Sequence, residues 1–297
     1  MELYFRGSVN RWECDENDHL NVRFFVEKHW QSVCAAAPVI GLPAVSNPDD
    51  YIGALKTQHI RFLAEARLAT PISGYVGVVG FTENRVDVLS ELRHSHSQVP
   101  LSTCLHSLQL TLENPLDTSE IPAHAQPRGI SAADLPHAAL SLTAALDNGF
   151  FTVGKGMATS EECTAAEQLR VHHYMGRVSD AMPHLWGRFD AADETGGDDG
   201  APVAAPVEEG GAVLEYRMHY HRPLNCGDTF EIVSGVRDVS PKVQQFAHLM
   251  YHTADGRIAV SAQAAAVRMD LRLRRAVALP ERRLAVLRQQ LISRLSD

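Results

Sequence analysis

The sequence predicts an α+β fold built from two copies of one unit, each a long antiparallel sheet wrapped around a central helix. Residues recur at an offset of 149, which pairs Glu13-Cys14 with Glu162-Cys163. A second similarity pairs residues 58–61 with residues 218–221 at an offset of 160. Both halves also show the same order of periodicities, namely a short strand, an amphipathic helix and several long strands.

The first copy is predicted to occupy residues 1–112. Residues 4–12 indicate a strand, and residues 22–40 repeat apolar side chains at steps of three or four, as a helix with one buried face does. Leu101, Thr103 and Leu105 alternate with their neighbours, which indicates a sheet with one buried face. The remaining predicted strands of this copy are residues 55–66, 72–81, 85–95 and 101–112.

A connector rich in proline is predicted for residues 113–148, with a helix near residues 136–146. The second copy, residues 149–280, repeats the first. The pair Asp255-Gly256 predicts a hairpin with a type I′ turn, since both residues tolerate positive φ angles. The predicted elements are a strand over residues 149–158, a helix over 166–189, and strands over 213–222, 229–238, 243–253 and 257–269.

Two segments lie outside the repeated frame. Residues 190–211 carry seven acids and neither Lys nor Arg, and we expect them to form a flexible acidic insertion. Residues 281–297 combine arginines with Leu284, Leu287 and Leu291 at helical spacing, which predicts an amphipathic helix. Its arginines either support docking onto the sheet or another subunit, or offer a surface to an acidic carrier protein or to CoA phosphates.

Composition indicates a globular protein without a nucleic-acid surface. The 297 residues are 45% hydrophobic and 21% charged, and no apolar run of membrane-spanning length occurs. The N-terminal residues lack the pattern of a signal peptide, so we expect a cytoplasmic location. The formal charge of -9 falls to about -2 without the acidic insertion, which disfavours nucleic acid as a partner. Five scattered cysteines indicate reduced thiols.

The best candidate for a reacting centre is the acidic loop, residues 13–21, directly before the first helix. It contains Asp15, His19 and Asn21, whereas its counterpart, residues 162–170, has Thr164 and Gln168 in place of the Asp and the His. Ordinary helix capping accounts for Asp and Asn before a helix. It does not explain why only one copy keeps the polar cluster.

The string from Trp12 to Asn21 resembles the active-site segment of hotdog thioesterases of the 4-hydroxybenzoyl-CoA thioesterase and acyl-ACP thioesterase type. In that segment an Asp is followed four residues later by His and, two further on, by Asn. The resemblance implies a tandem, or double, hotdog fold. Many relatives have Gly before the His where this chain has Asp18, and the first acid of their pair is here Glu13. A structural role is expected for Glu13, since Glu162 occupies the same frame.

The resemblance implies hydrolysis of an acyl-CoA or acyl-ACP to a carboxylic acid and a free thiol. Asp15 would act as general base or nucleophile, while backbone N–H groups of Val22 and Arg23 would polarise the thioester carbonyl. His19 and Asn21 would position the loop or the attacking water.

Apolar residues near the helix are expected to contact the acyl group, namely Phe24 and Phe25 from the first copy and Tyr174 from the second. Weaker candidates on the facing wall are His173 and residues 219–222. Of the two equivalent clefts between the copies, only the one with Asp15 is expected to react.

The alternatives are a non-catalytic acyl-CoA binding module and, with less support, a hotdog dehydratase or hydratase. No cofactor and no metal is expected: the His-x-His pairs at His94 and His219 lack a third ligand, and neither a P-loop nor a Gly-x-Ser-x-Gly elbow occurs. No nucleic-acid or membrane partner is expected. The chain would be a monomer with an internal pseudo-dimer, or a homo-oligomer.

Overall fold

The computed structural model describes residues 1–45, 47–112, 115–130, 139–194, 209–273 and 275–292. Its helices are α1 Val22–Ala36, α2 Leu142–Asp147, α3 Val171–Glu194 and α4 Glu281–Gln289. Its strands are β1 Glu2–Ser8, β2 Leu55–Phe62, β3 Pro71–Thr82, β4 Arg85–His94, β5 Pro100–Leu108, β6 Phe151–Met157, β7 Glu209–Tyr220, β8 Thr229–Val239, β9 Val243–His252, β10 Ile258–Asp270 and β11 Arg275–Val277.

One antiparallel sheet contains all the strands of this described part. Their order is β1-β3-β4-β5-β2-β7-β10-β9-β8-β6, with β11 paired to β10. The two copies join where β2 pairs with β7, from Thr57 opposite His219 to Arg61 opposite Glu215. The first half of the sheet wraps around α1 and the second half around α3, and the two helices contact each other. This is the predicted arrangement.

Backbone hydrogen bonds define which residues of the two copies are equivalent. The N–H of Leu20 donates to Ala66 O at 2.7 Å, and the N–H of Leu169 donates to Leu224 O at 2.8 Å. The loops and helices therefore keep the offset of 149, whereas the strands are related by 158 rather than the predicted 160. Because strand side chains alternate, an error of two residues leaves each residue on the expected face.

Helix α1 begins and ends at sequence signals. The side chain of Asn21 accepts a hydrogen bond from the N–H of Arg23, which caps the first turn. Ala37 is the last capping residue, and Pro38 follows. The helix stops short of residue 40, because Pro38 has no N–H with which to continue the helical hydrogen bonds. Its buried face includes Val26, Trp30 and Val33.

Several predicted boundaries are wrong for local reasons. Strand β1 ends at Ser8, because residues 11–13 form a 3-10 turn. Helix α3 starts at Val171 rather than at residue 166, since residues 164–168 repeat the turn of the acidic loop. The Asp255-Gly256 hairpin exists, but in the described chain only Gly256 of that pair has a positive φ, so the turn is not type I′.

Three expectations lie partly outside the described residues: the connector helix over residues 131–138, the acidic insertion over residues 195–208 and the C-terminal helix over residues 293–297. In the described part, α2 covers six residues and α4 covers nine. Leu287 of α4 is fully buried, and α4 packs on α3 and β8. No described helix has the length and hydropathy needed to span a membrane.

Candidate functional site

The acidic loop is held by one carboxylate oxygen of Asp15. Oδ1 accepts hydrogen bonds from the N–H of Asn17 at 2.9 Å and the N–H of His19 at 3.0 Å. The N–H of Asp15 in turn donates to His19 O at 2.8 Å, and a bridge between Cys14 and Leu20 closes the loop. Oδ2 has no hydrogen-bond partner within the described chain, so Asp15 keeps an oxygen available for chemistry.

The counterpart loop has the same shape without the carboxylate. The Thr164 hydroxyl accepts from the N–H of Ala166 at 3.2 Å and the N–H of Gln168 at 3.3 Å. A hydroxyl therefore suffices to build this turn. What Asp15 adds is a negative charge and a second oxygen, which are the requirements of a base or nucleophile.

Asp18 stands at a backbone position that explains the glycine of the resembling family. Its φ is 59°, in the left-handed region, and the equivalent Glu167 has the same φ of 59°. Glycine adopts this conformation without cost, while Asp tolerates it better than most residues. The Asp18 side chain also pairs with Arg11 at 2.7 Å on the surface. The departure from Gly therefore leaves the geometry of the loop intact.

His19 meets a carboxylate that the motif does not contain. Its Nε2 lies 3.2 Å from Oε2 of Glu65, on the segment that follows β2. At the strand offset of 158 the second copy has Pro223 at the position of Glu65. Three groups, Asp15, His19 and Glu65, are thus lost together in that copy. The offset of 160 predicted from the sequence compares Glu65 with Asn225 instead, so the replacement of Glu65 by Pro223 cannot be seen from the sequence alignment of the two copies.

The N-terminus of α1 offers one open backbone donor beside Asp15. The N–H of Arg23 is occupied by Asn21 Oδ1 at 2.9 Å, and the N–H of Phe24 donates to the Asn21 carbonyl. Arg23 is therefore removed from the expected oxyanion site. The N–H of Val22 has no partner among the described residues and remains the candidate.

Glu13 has the structural role expected of it. It is 6% exposed, and its Oε1 lies 2.6 Å from Nζ of Lys28 on α1. Its Oε2 accepts from the N–H of Asn10 at 2.7 Å. In the second copy Glu162 pairs with Arg177 at 2.6 Å, at positions related by the same offset of 149. These pairs anchor each loop to its helix.

A cavity of about 620 Å³ starts at the acidic loop and extends into the second copy. The loop end is lined by Asp15, His19, Asn21 and Glu65 together with Phe25. The facing wall comes from the second copy, as expected, but from other residues: Met175, Val178, Met182, Pro183 and Trp186 of α3, and Tyr216, Phe246, His248, Ala264 and Ala266 of the sheet. Pro183 is tolerated inside α3 although its missing N–H leaves the Ser179 carbonyl without its usual helical partner.

The cavity is open because the second copy has small side chains where the first has large ones. In the strand register Ala264 is equivalent to His106. On the helices, the offset of 149 places Ser179 where α1 has Trp30. The rings of Trp30 and His106 are 5.9 Å apart and fill the corresponding space in the first copy.

Beside the counterpart loop, residues 162–170, the space equivalent to the part of the cavity lined by Phe25 is filled. Tyr174 and Tyr220 pack edge to face at 5.5 Å, at positions equivalent to Phe25 and Phe62, which pack the same way at 5.4 Å. The Tyr174 hydroxyl accepts from the N–H of Leu224 at 2.7 Å. Tyr174 is fully buried and lines neither described cavity, so it is removed from the predicted substrate contacts.

A buried polar network completes this filled cleft. His29 contacts Ser90 and Ser102, each at 2.8 Å, and Ser90 contacts His106 at 2.9 Å. Burial lowers the pKa of His106 to about 3 and holds the pKa of His29 well below its ordinary value, with a further lowering from the nearby His106. Both imidazoles are therefore neutral at pH 7.

A second, polar cavity of about 730 Å³ lies between the helices and contains two predicted contacts. The two predicted contacts are Phe24 and His173, which line it together with Arg23 and Arg177. Neither Phe24 nor His173 lines the cavity that starts at Asp15. Burial and the nearby Arg23 lower the pKa of His173 to about 4. Residues 219–222 line neither cavity. Of the predicted acyl contacts, only Phe25 shares a cavity with Asp15.

Comparisons with known proteins agree with this fold. Residues 161–291 match the model of the thioesterase-like superfamily. A comparison with curated protein sequences finds no match. Among solved structures, a putative oleoyl thioesterase from Lactobacillus plantarum is similar with a TM-score of 0.62 and 10% identity, over 90% of this chain and 96% of that one.

Two further structures are similar over the same range. They are the 12:0-ACP thioesterase from Umbellularia californica, with a TM-score of 0.60, 10% identity and coverage of 89% and 94% of the two chains, and an acyl-ACP thioesterase from Bacteroides thetaiotaomicron, with a TM-score of 0.54, 10% identity and coverage of 88% and 96%. The tandem hotdog fold and the resemblance to hotdog thioesterases are thereby confirmed. The match to the superfamily model covers the second copy, although the acidic loop lies in the first.

Proposed function

We propose that the protein hydrolyses acyl thioesters of CoA or of acyl carrier protein, with Asp15 as general base or nucleophile. The observation that carries the proposal is the grouping of Asp15, His19, Glu65 and an open helix N-terminus at one end of a largely apolar cavity. The likeness to thioesterases supports the reaction class.

Either role of Asp15 gives a balanced reaction. As a base, Asp15 takes a proton from water, the resulting hydroxide attacks the thioester carbon, and the C–S bond breaks. As a nucleophile, Asp15 attacks that carbon directly, expels the thiolate and forms an anhydride that water hydrolyses. In both cases the thiolate gains a proton and the acyl carbon becomes a carboxylic acid.

The neighbouring groups act on charge and position. The N–H of Val22, at the positive end of the α1 dipole, stabilises the negative charge that develops on the thioester oxygen. Glu65 orients the His19 imidazole through their 3.2 Å contact. Asn21 acts through the helix, because its side chain caps α1 and leaves the N–H of Val22 open.

The decisive variant is Asp15→Asn, assayed by thiol release from acyl-CoAs of short, long and aromatic acyl groups. An Asn Oδ1 accepts the same two N–H bonds, so the loop keeps its shape while the base is lost. We expect kcat to fall by about 100-fold or more. Thr164→Asn places the same side chain in the counterpart loop and should leave kcat unchanged.

Three outcomes would count against the proposal. Full activity of Asp15→Asn would remove Asp15 from the chemistry. Tight acyl-CoA binding without thiol release by the wild type would favour the binding module. Absorbance changes of an enoyl chromophore without thiol release would indicate a hydratase or dehydratase.

A further inference from the structure

The cavity wall contains an imidazole that the hydrolysis mechanism does not use. His248 on β9 is 2% exposed and lines the cavity. Its Nδ1 is 2.7 Å from Oγ of Ser234. Its Nε2 has no hydrogen-bond partner among the residues that the structure describes. The first copy has Ser90 at the equivalent position, inside the filled network.

A second unpaired polar group lies next to His248. The Tyr216 ring is parallel to the imidazole, with centroids 6.0 Å apart, and the Tyr216 hydroxyl is buried without a partner in the described chain. The surrounding wall is apolar, with Phe246, Trp186 and Ala264. A buried polar group left unpaired costs about 1 to 3 kcal/mol, so the orphaned Tyr216 hydroxyl, beside an imidazole in the cavity wall, indicates that a ligand supplies the missing bond.

The strand register places His248 far from Asp15, with Tyr216 at an intermediate position because it pairs with Ala264. Ala266 on β10 pairs with Val213, beside the end of β2 from which Glu65 follows. His248 pairs with Ala262, four residues further along β10. Four residues of a strand span roughly 13 Å. His248 is therefore reached by the end of an acyl chain that is remote from the thioester.

The charge of the cavity restricts the chemistry of that chain end. No Lys or Arg lines the described cavity. Burial lowers the pKa of His248 to about 3, which leaves the imidazole neutral at pH 7. A carboxylate at this depth would be desolvated without a cationic partner, whereas a hydroxyl or oxo group needs only a hydrogen bond.

We propose, on the basis of the proposed thioesterase function, that the acyl group carries a hydroxyl or oxo substituent near its remote end and that His248 selects it by hydrogen bonding. An unsubstituted chain fills the same cavity but leaves Nε2 unpaired. Discrimination by a site built for a substrate hydroxyl can be large, because the analogue without it strands a buried polar group.

The test is binding of thioether analogues of octanoyl-, decanoyl- and dodecanoyl-CoA, which lack the scissile bond, with and without a terminal hydroxyl. We expect calorimetry to show about tenfold tighter binding of a hydroxylated analogue at one chain length. In His248→Phe this preference should disappear while the plain chain binds at least as tightly as before. His96→Phe makes the same change at an exposed position outside the cavity and should keep the preference.

Equal binding of plain and hydroxylated chains by the wild type at all three lengths would overturn the inference, as would an undiminished preference in His248→Phe. Tighter binding of a carboxylate-terminated analogue would also overturn it. Because binding is measured without turnover, the two proposals fail separately. A hydroxyl preference without cleavage of any acyl-CoA rejects the hydrolase, and cleavage without preference rejects only the role of His248.

Discussion

A comparison of Asp15 with Thr164 shows which property of the Asp15 side chain the fold of the acidic loop requires. Each accepts backbone hydrogen bonds from residues two and four positions later, and each closes the same turn. The carboxylate is therefore not needed for folding. The second copy has Gln168 and Pro223 in place of His19 and Glu65. Because it still forms the same loop, the His19 and Glu65 side chains are not needed for folding either. The internal copy thus serves as a control for which residues are functional.

The backbone donor at Val22 can be tested with a single substitution. Val22→Pro removes the N–H at the first helical position, where proline is tolerated, and Asn21 already has φ of -62° and ψ of 145°, which suit a residue before proline. We expect the helix to form and kcat to fall by about 100- to 1,000-fold.

Val171→Pro at the first position of α3 is the matched control. It makes the same change beside the counterpart loop and should leave kcat unchanged, with circular dichroism confirming that both variants fold. Wild-type kcat in Val22→Pro would show that this N–H does not stabilise the oxyanion.

The two central helices and their sheets have diverged by side-chain volume. Around α1 the interior is closed by Trp30 and His106, whereas around α3 the small residues Ser179 and Ala264 leave a cavity. The same backbone therefore makes a solid core in one half and a cavity in the other. Side-chain size at these positions decides which half contains the cavity.

Copying one residue of the filled half into the open half should shorten the cavity. Ala264 is equivalent to His106 and lies two residues beyond Ala266 in the direction away from Asp15, so Ala264→His adds volume at a position where the first copy already accepts a larger side chain. We expect KM for long acyl-CoAs to rise about tenfold or more while turnover of short acyl-CoAs stays unchanged, because one imidazole ring displaces a few buried methylenes. An equal loss for short and long chains would contradict this, and thermal unfolding would check that the variant is folded.

Element order and architecture could be predicted because both depend on local periodicity and on repetition. Helix ends at Asn21 and Pro38 follow from capping and proline, which are local as well. The position of the cavity could not be predicted, since it depends on the combined side-chain volumes at Ser179 and Ala264, which are distant in sequence. The packing of Tyr174 could not be predicted either, because an aromatic residue at a helix start does not reveal whether its ring faces a cavity or packs against a residue such as Tyr220.

Across the whole molecule, buried histidines that are neutral at pH 7 make the free energy of unfolding depend on pH. His29, His106 and His248 have pKa values lowered mainly by burial, below the ordinary value near 6.5. Below that pH the unfolded chain binds protons that the folded chain does not bind. Stability is therefore full above pH 6.5 and declines as pH falls toward 3, by about 1.4 kcal/mol per pH unit for each such group.

We expect the melting temperature to decline between pH 7 and pH 5. His106→Gln should be less stable at pH 7 but should show a shallower decline, since it removes one of the titrating groups. His96→Gln, at an exposed position, is the control and should retain the wild-type slope. A slope unchanged by His106→Gln would show that this imidazole is not the source of the acid sensitivity.

The pairing of β2 with β7 joins two halves of a single polypeptide, where two identical subunits paired in the same way would form a symmetric dimer. In such a dimer every substitution enters both copies at once, so a change that widens the cavity of one copy also widens that of the other. Covalent linkage removes that constraint. The first half is free to keep its acidic loop and a closed interior, while the second half is free to change the shape of its cavity, each under separate selection.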